Sequence, residues 1–416
     1  MGTVSKELSE TVHRIACRPI SGEPSSNTYQ SDALLARLRE LGTELWVDTG
    51  ELELARSIWK KELTALTTNN TLANQVVQSG VMDEVIQDTV KQLLEAAGGL
   101  SREELLMEMG FVINCRIALR LVEAFKVKVS VELHPSISRD IEKSVEYGKR
   151  YFAVCPEYFI VKVPLTPEGL LAARRLRQES IPINFTLGFS ARQNYLAARL
   201  ANPNYVNVFL GRLNAVVADN SAGDGKWVGE KVTLHTQNVL DEVRRAHSDV
   251  HTKLIAASIR NGDQVATLAG LDVHTIPPKA MKEFQESGRS PDQIVKIEGE
   301  SLKPGLEAGH AWSARVSRLW EVDDALRQAV DRLMARSDLD HLSGEALVQF
   351  CRENGLDFFH PFTEENLKRI YDDGKIPKLA QWSESIALDD LMTQSALQSF
   401  TKDQNALDGR IESFLA

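Results

Sequence analysis

"YFIVKVPLTPEGLLAARRLRQES", residues 158–180, joins two kinds of pattern. The first seven residues are an aromatic and β-branched run ahead of a turn, the mark of a buried strand. The remainder offers Thr166 as an N-cap and Pro167 at the first helical position, ahead of a stretch rich in Leu, Ala and Arg. A strand followed at once by a helix is the unit from which parallel sheets are built. One residue breaks the pattern. Lys162 sits mid-strand, where an ammonium must lose its charge or find a partner.

Working outward, seven further runs read as strands: "LWVDTG" (45–50), "ALTTNN" (65–70), "KVKVSVELHP" (126–135), "IPINFTLGF" (181–189), "YVNVFLGRLNAVV" (205–217), "KLIAASIR" (253–260) and "DVHTIPP" (272–278). Helical patterns separate them. "VTLHTQNVLDEVRRA" places Val232, Val239, Leu240 and Val243 on one face, and Ser190 opens "SARQNYLAARLA". Eight such units over roughly 250 residues predict an α/β fold, a (β/α)8 TIM barrel spanning 32–330. No GxGxxG follows the first strand, which lowers a dinucleotide-binding reading, and "AGDGKWVG" has the spacing of a plain loop.

Residues 1–31, ending in "SGEPSSNTYQSD", read as an N-terminal arm with a flexible joint. Beyond the barrel the β rhythm stops. Residues 331–416 read as additional C-terminal helices with a small insert at about 336–380. "WSARVSRLWEVDDALRQAVDRLMA" and "DLMTQSALQSFTKDQNALDGRIESFLA" are expected helices, with an aromatic segment, "GLDFFHPFTEENLKRIYDDGKIPKLAQW", between them.

Composition narrows the function. The chain has 416 residues, 43% hydrophobic and 25% charged, with net charge −10. An acidic protein of this kind argues against nucleic acid or an anionic membrane as partner, and any anionic substrate must be caught by local arginines. No run reaches the length of a membrane span, and the N-terminus lacks a signal-peptide core and the myristoylation pattern. Four scattered cysteines without a CxxC pair suit a reducing cytoplasm, and the nine histidines form no metal-binding spacing. No metal and no cofactor are expected. The oligomeric state stays open, with a homodimer as the candidate assembly.

In such a barrel the chemistry lies at the C-terminal ends of the strands. Lys162 is the first candidate there. Desolvation favours its neutral amine, a nucleophile able to form a Schiff base with a carbonyl; the plainer reading is a structural ion pair. Asp48 and Glu132 close strands one and three and can share acid and base work, unless Asp48 merely caps a helix and Glu132 merely pairs with Lys162. Asn69, Asn184 and Thr186 can hold sugar hydroxyls or simply tie strand ends to loops. Arg212, Ser258 and Arg260, ending strands six and seven, suit a phosphate clamp, although surface salt bridging is an arginine's commoner fate. Together these groups suggest carbon–carbon chemistry on a phosphorylated keto-sugar.

At these residues the sequence resembles the transaldolase family, class I aldolase-type barrels with their lysine on strand four. "WVDTG" resembles the family's first-strand aspartate motif, "LTTNNTL" its Thr-Ser/Thr-Asn-Pro signature, and "VSVELHP" its glutamate strand. "FIVKVPLTPEGLLAARRL" resembles the Schiff-base lysine motif and "INFTLGFSARQ" the Asn-x-Thr-x-x-Phe-Ser segment. "VFLGR" and "AASIRN" are similar to its phosphate-binding stretches, and "LAGLDVHTIPP" to its last strand. The resemblance implies that Lys162 forms the Schiff base and that Asp48 takes the proton from the substrate's C4 hydroxyl. It implies that Glu132 and Thr186 position a water, that Asn69 and Asn184 hold donor hydroxyls, and that Arg212, Ser258 and Arg260 hold the phosphate. It also implies transfer of a dihydroxyacetone unit between phosphorylated sugars, in the non-oxidative pentose phosphate pathway. The alternatives are a fructose-6-phosphate aldolase-like enzyme and a non-catalytic sugar-phosphate-binding protein. The chain departs from the pattern at Asn70, where proline is usual, and at His134 and Leu165. A further departure is Asn207, which stands near the donor where serine is common. These leave donor preference open.

Overall fold

The computed structural model describes residues 6–19, 28–96 and 100–415. Eight strands run in chain order: β1 (Glu44–Asp48), β2 (Leu63–Thr67), β3 (Lys128–Glu132), β4 (Phe159–Pro164), β5 (Ile183–Thr186), β6 (Tyr205–Phe209), β7 (Lys253–Ala257) and β8 (Val273–Ile276). Each pairs in parallel with the next, and β8 returns to β1 to close a barrel. This is the (β/α)8 architecture that the strand–helix rhythm predicts. Every residue of β4 is buried, because helices cover its outer face and the barrel interior its inner one.

Register decides what meets what. Glu132 on β3 lies level with Lys162 on β4, and Lys162 level with Asn184 on β5. Asp48 on β1 lies level with Thr67 on β2. Level partners on parallel strands point to the same face, so these polar groups gather on one side of the barrel wall near the strand ends. The following helices are launched by caps. The Thr166 hydroxyl accepts from Gly169 N at 2.9 Å, and the Ser190 hydroxyl from Gln193 N at 3.1 Å.

Two expectations need correction. The run 205–217 is a strand only to Phe209; Leu210–Asp219 is a helix. A continuous apolar run carries no period to separate the two states. Arg212 therefore stands in the first turn of a helix and not at the end of a strand. The stretch 312–335 is two helices, Ser313–Ser317 and Asp324–Met334, because Asp323 breaks it by capping the second through Leu326 N at 2.8 Å. The insert at 336–380 is itself largely helical, with Gly344–Glu353 and Glu364–Asp373, the latter opened by a Thr363–Asn366 capping box.

The N-terminal helix, Lys6–Ala16, buries Leu8, Val12 and Ile15 and packs on helices Asp83–Ala96 and Arg102–Phe125. Most of the joint expected after it, 20–27, lies outside the described residues. The C-terminal helix, Leu388–Glu412, is 25 residues long, about 37 Å at the usual rise. It crosses the barrel mouth. Among the described residues no helix is long and apolar enough to cross a membrane.

Candidate active site

A cavity of about 410 Å³ opens at the C-terminal ends of the strands. Its wall includes Asp48, Asn69, Lys162, Asn184, Asn207, Arg212, Ser258 and Arg260, eight of the ten residues singled out from sequence. Glu132 and Thr186 are buried just behind that wall. A larger groove of about 520 Å³ on the outer wall, lined by Asn261, Asp263, Glu283 and Arg289, contains none of them.

Lys162 is 3% exposed. Its Nζ lies 3.1 Å from Glu132 Oε2 and donates to the Thr68 carbonyl at 3.1 Å. The sequence pattern suggests a lysine surrounded by apolar neighbours, but on the inward face its neighbours are a carboxylate and a carbonyl. Burial pushes the Glu132 carboxyl up; the adjoining ammonium opposes that without cancelling it. Burial likewise raises Asp48, against Lys162, a Thr67 hydrogen bond at 2.7 Å and the more distant Arg260. Both acids are therefore better proton acceptors than exposed carboxylates. Asp48 caps no helix: the next helix begins after Glu51.

The amides divide between structure and site. The Asn69 carbonyl oxygen caps the helix Asn70–Gln78 through Leu72 N at 2.9 Å. Asn184 Nδ2 donates to Ser130 Oγ at 3.0 Å, and Asn207 Nδ2 lies 3.5 Å from Asn184 Oδ1. The Thr186 hydroxyl is fully buried, and no group among the described residues satisfies it.

The cations are differently placed. Arg212 is 5% exposed, and its Nη1 finds no acceptor among the described residues. Its Cζ lies over the rings of both Phe209 and Phe400, 5.8 Å from each centre, within cation–π reach. Burial, with Arg260 nearby, lowers its pKa to about 10, which leaves it cationic at neutral pH. Ser258 has φ 61 in the left-handed region, and no group among the described residues satisfies its Oγ. A side chain at Gly211 would come within 2.2 Å of the Ser258 carbonyl, so only glycine lets the helix bearing Arg212 approach this turn. A buried arginine and a strained serine thus turn polar atoms without a partner among the described residues toward one cavity.

Two departures from the family pattern find partners on the C-terminal helix. Asn70 Nδ2 donates to Gln404 Oε1 at 2.9 Å, and His134 Nε2 lies 3.2 Å from Asp408. Arg192 grips Asp389 at that helix's start with two bonds of 2.7 and 2.6 Å, and Ser190 adds a third at 2.6 Å. Sequence reasoning missed Thr67, Phe209, Lys375 and Phe400, all on the cavity wall. Thr67 and Phe209 lie within strand runs already read. Lys375 and Phe400 come from a segment whose placement only folding reveals.

An amine, two carboxylates and a cationic pocket at the mouth of a closed (β/α)8 barrel define a barrel enzyme of the lysine–carboxylate class. A sequence model of the Transaldolase/Fructose-6-phosphate aldolase family matches residues 45–332. The chain belongs to that family and is an enzyme of the transaldolase type, a transferase. It is 34% identical over 245 residues to a probable transaldolase of Thermus thermophilus, covering 58% of this chain and 90% of that one. It is 24% identical over 323 residues to a transaldolase of Gloeobacter violaceus, covering 74% and 81%. A transaldolase of Kluyveromyces lactis is 29% identical over 292 residues, covering 66% and 82%.

Proposed function

We propose that this enzyme moves a dihydroxyacetone unit from a ketose phosphate, sedoheptulose 7-phosphate or fructose 6-phosphate, to an aldose phosphate, glyceraldehyde 3-phosphate or erythrose 4-phosphate. The route is a Schiff base on Lys162, in the non-oxidative pentose phosphate pathway of the cytoplasm. The observation that carries the reading is Arg212: a buried guanidinium whose Nη1 finds no acceptor among the described residues, sharing one cavity with a lysine that has a raised-pKa carboxylate at 3.1 Å.

The chemistry follows from the neighbours. Glu132 takes a proton from Lys162, whose free amine attacks the C2 carbonyl. With Thr186, Glu132 orients the water lost as the imine forms and regained as it resolves. Asp48 takes the C4 hydroxyl proton, the C3–C4 bond breaks, and its electron pair passes into the imine to give an enamine. The aldose leaves, and the enamine attacks the incoming aldehyde. Asn69, Asn184 and Asn207 hold donor hydroxyls, while Arg212, Ser258 and Arg260 hold the phosphate. Phe209 and Phe400 on the cavity wall favour transfer over aldol cleavage, since apolar rings there keep water from the enamine.

Borohydride reduction with fructose 6-phosphate tests this. A stable adduct is expected on Lys162 by peptide mass mapping, lost in Lys162→Ala. Equal labelling of the variant would sink the reading. Adding erythrose 4-phosphate should yield sedoheptulose 7-phosphate; free dihydroxyacetone in its place would mean an aldolase.

A further inference from the structure

The cavity wall is completed by chain from outside the eight-stranded barrel. Lys375 and Phe400 both line it. The turn carrying Lys375 is pinned on two sides. Ser395 Oγ donates to the Gly374 carbonyl at 3.0 Å, and Asn220 Nδ2 donates to the Pro377 carbonyl at 3.0 Å. Asn220 Oδ1 also accepts from Leu379 N at 2.7 Å, and Gly374 supplies the left-handed turn with φ 85. The backbone is thus fixed, while the Lys375 side chain is exposed with no ion-pair or hydrogen-bond partner among the described residues. Ser395, which anchors this turn, stands five residues before Phe400 on one helix, a rise of about 7.5 Å. Phe400 in turn lies against the Arg212 guanidinium at 5.8 Å.

We propose that the C-terminal segment completes the phosphate end of the substrate site. Lys375 contacts the phosphate group of a phosphorylated sugar, and Phe400 positions Arg212 to receive it. The inference rests on the sugar-phosphate reading above and deepens it. A chain of net charge −10 repels a dianion, and a mobile ammonium at the mouth offsets that locally before the buried guanidinium engages. Lysine suits this role as a point charge that needs no fixed geometry.

The test uses the full chain and inorganic phosphate as probe. Lys375→Met is expected to weaken competitive inhibition by phosphate about two- to fivefold at low salt, the range of an exposed charge contact. It should raise KM for fructose 6-phosphate to match, with kcat preserved, and Lys375→Arg should restore both. The defect should shrink between 0.1 M and 1 M salt, as the screening length falls from about 10 Å to about 3 Å. Phe400→Leu should raise KM for fructose 6-phosphate and weaken phosphate inhibition, whereas Lys375→Met should leave borohydride trapping of unphosphorylated dihydroxyacetone on Lys162 as in the wild type. Phosphate inhibition indifferent to Lys375, or an equal loss toward dihydroxyacetone, would overturn the proposal. If the wild type traps no sugar yet binds phosphate through Lys375, measured by calorimetry, the transfer reading falls and this one stands.

Discussion

Lys162 presents, in one side chain, the choice between a neutral amine and a paired ammonium. The fold supplies the pair, Glu132 at 3.1 Å, and on the same barrel face Asp48, raised by burial and steadied by Thr67. A carboxylate with a raised pKa is a base only once deprotonated. The acid limb of kcat/KM is therefore expected above the ordinary aspartate value of about 3.9. Thr67→Val removes a hydrogen bond to the ionised form and should shift that limb upward by roughly 0.5 to 1 pH unit. A limb that does not move would take Asp48 out of the rate-determining proton transfer. The same shift has a stability sign. The folded state disfavours ionised Asp48, so that cost is absent below the unfolded pKa and complete above the folded one. Asp48→Asn should be inactive yet gain heat stability relative to wild type as pH rises from 4 to 7, read from paired melting curves. At this scale the sequence was most informative, because eight of the ten chosen residues share one cavity. What it missed was orientation: nothing in "YFIVKVP" says that the inward neighbours of Lys162 are polar.

Among the elements, the Leu388–Glu412 helix has the most unusual burial. Leu391, Met392, Leu397 and Phe400 are buried, and so are Asp389, Asp390, Thr393 and Gln394. Such a helix needs specific polar partners, because each buried polar group must be satisfied. Asp389 shows how. Burial would raise its pKa, but Arg192 prevails and holds it below the usual range. Arg192 also reaches Asp357 of the insert at 2.5 Å, which Arg315 and Arg318 approach from a third segment. Asp389→Ala leaves that guanidinium short of its best partner in a buried site, and should cost about 3–5 kcal/mol in chemical denaturation. A loss under 1 kcal/mol would show that Asp357 alone suffices. The sequence revealed this helix through its length and its motif partners Ser190 and Arg192 through theirs, yet gave no sign that they meet across some two hundred residues.

For the whole molecule, the barrel and the C-terminal segment form one packed body. The C-terminal helix bonds to the segments that follow β2, β3 and β5, through Asn70, His134, Leu187 and Arg192, and meets Phe209 at the end of β6. A chain ending at residue 386 would uncover the docking surface of Leu391, Met392, Leu397 and Phe400 on the barrel, and would deprive Arg192 of Asp389 and Asn70 of Gln404. It should aggregate, not survive as an open, active barrel. Soluble yield and binding of a hydrophobic dye measure this, and a soluble, active fragment would contradict it.

The sequence by itself determined the barrel and the order of its strands, and it picked out the lysine, both carboxylates, and the arginines and serine that line the cavity. These are local signals: each strand and each cap is written within a dozen residues, and parallel closure follows from their alternation. Only the tertiary structure decided that Arg212 belongs to a helix, that Glu132 and Thr186 stand behind the cavity wall, and that Lys375 and Phe400 complete it. Those facts depend on strand register and on docking between segments far apart in the chain. Such contacts arise from the shape and charge of folded surfaces, and no local pattern in the chain encodes them.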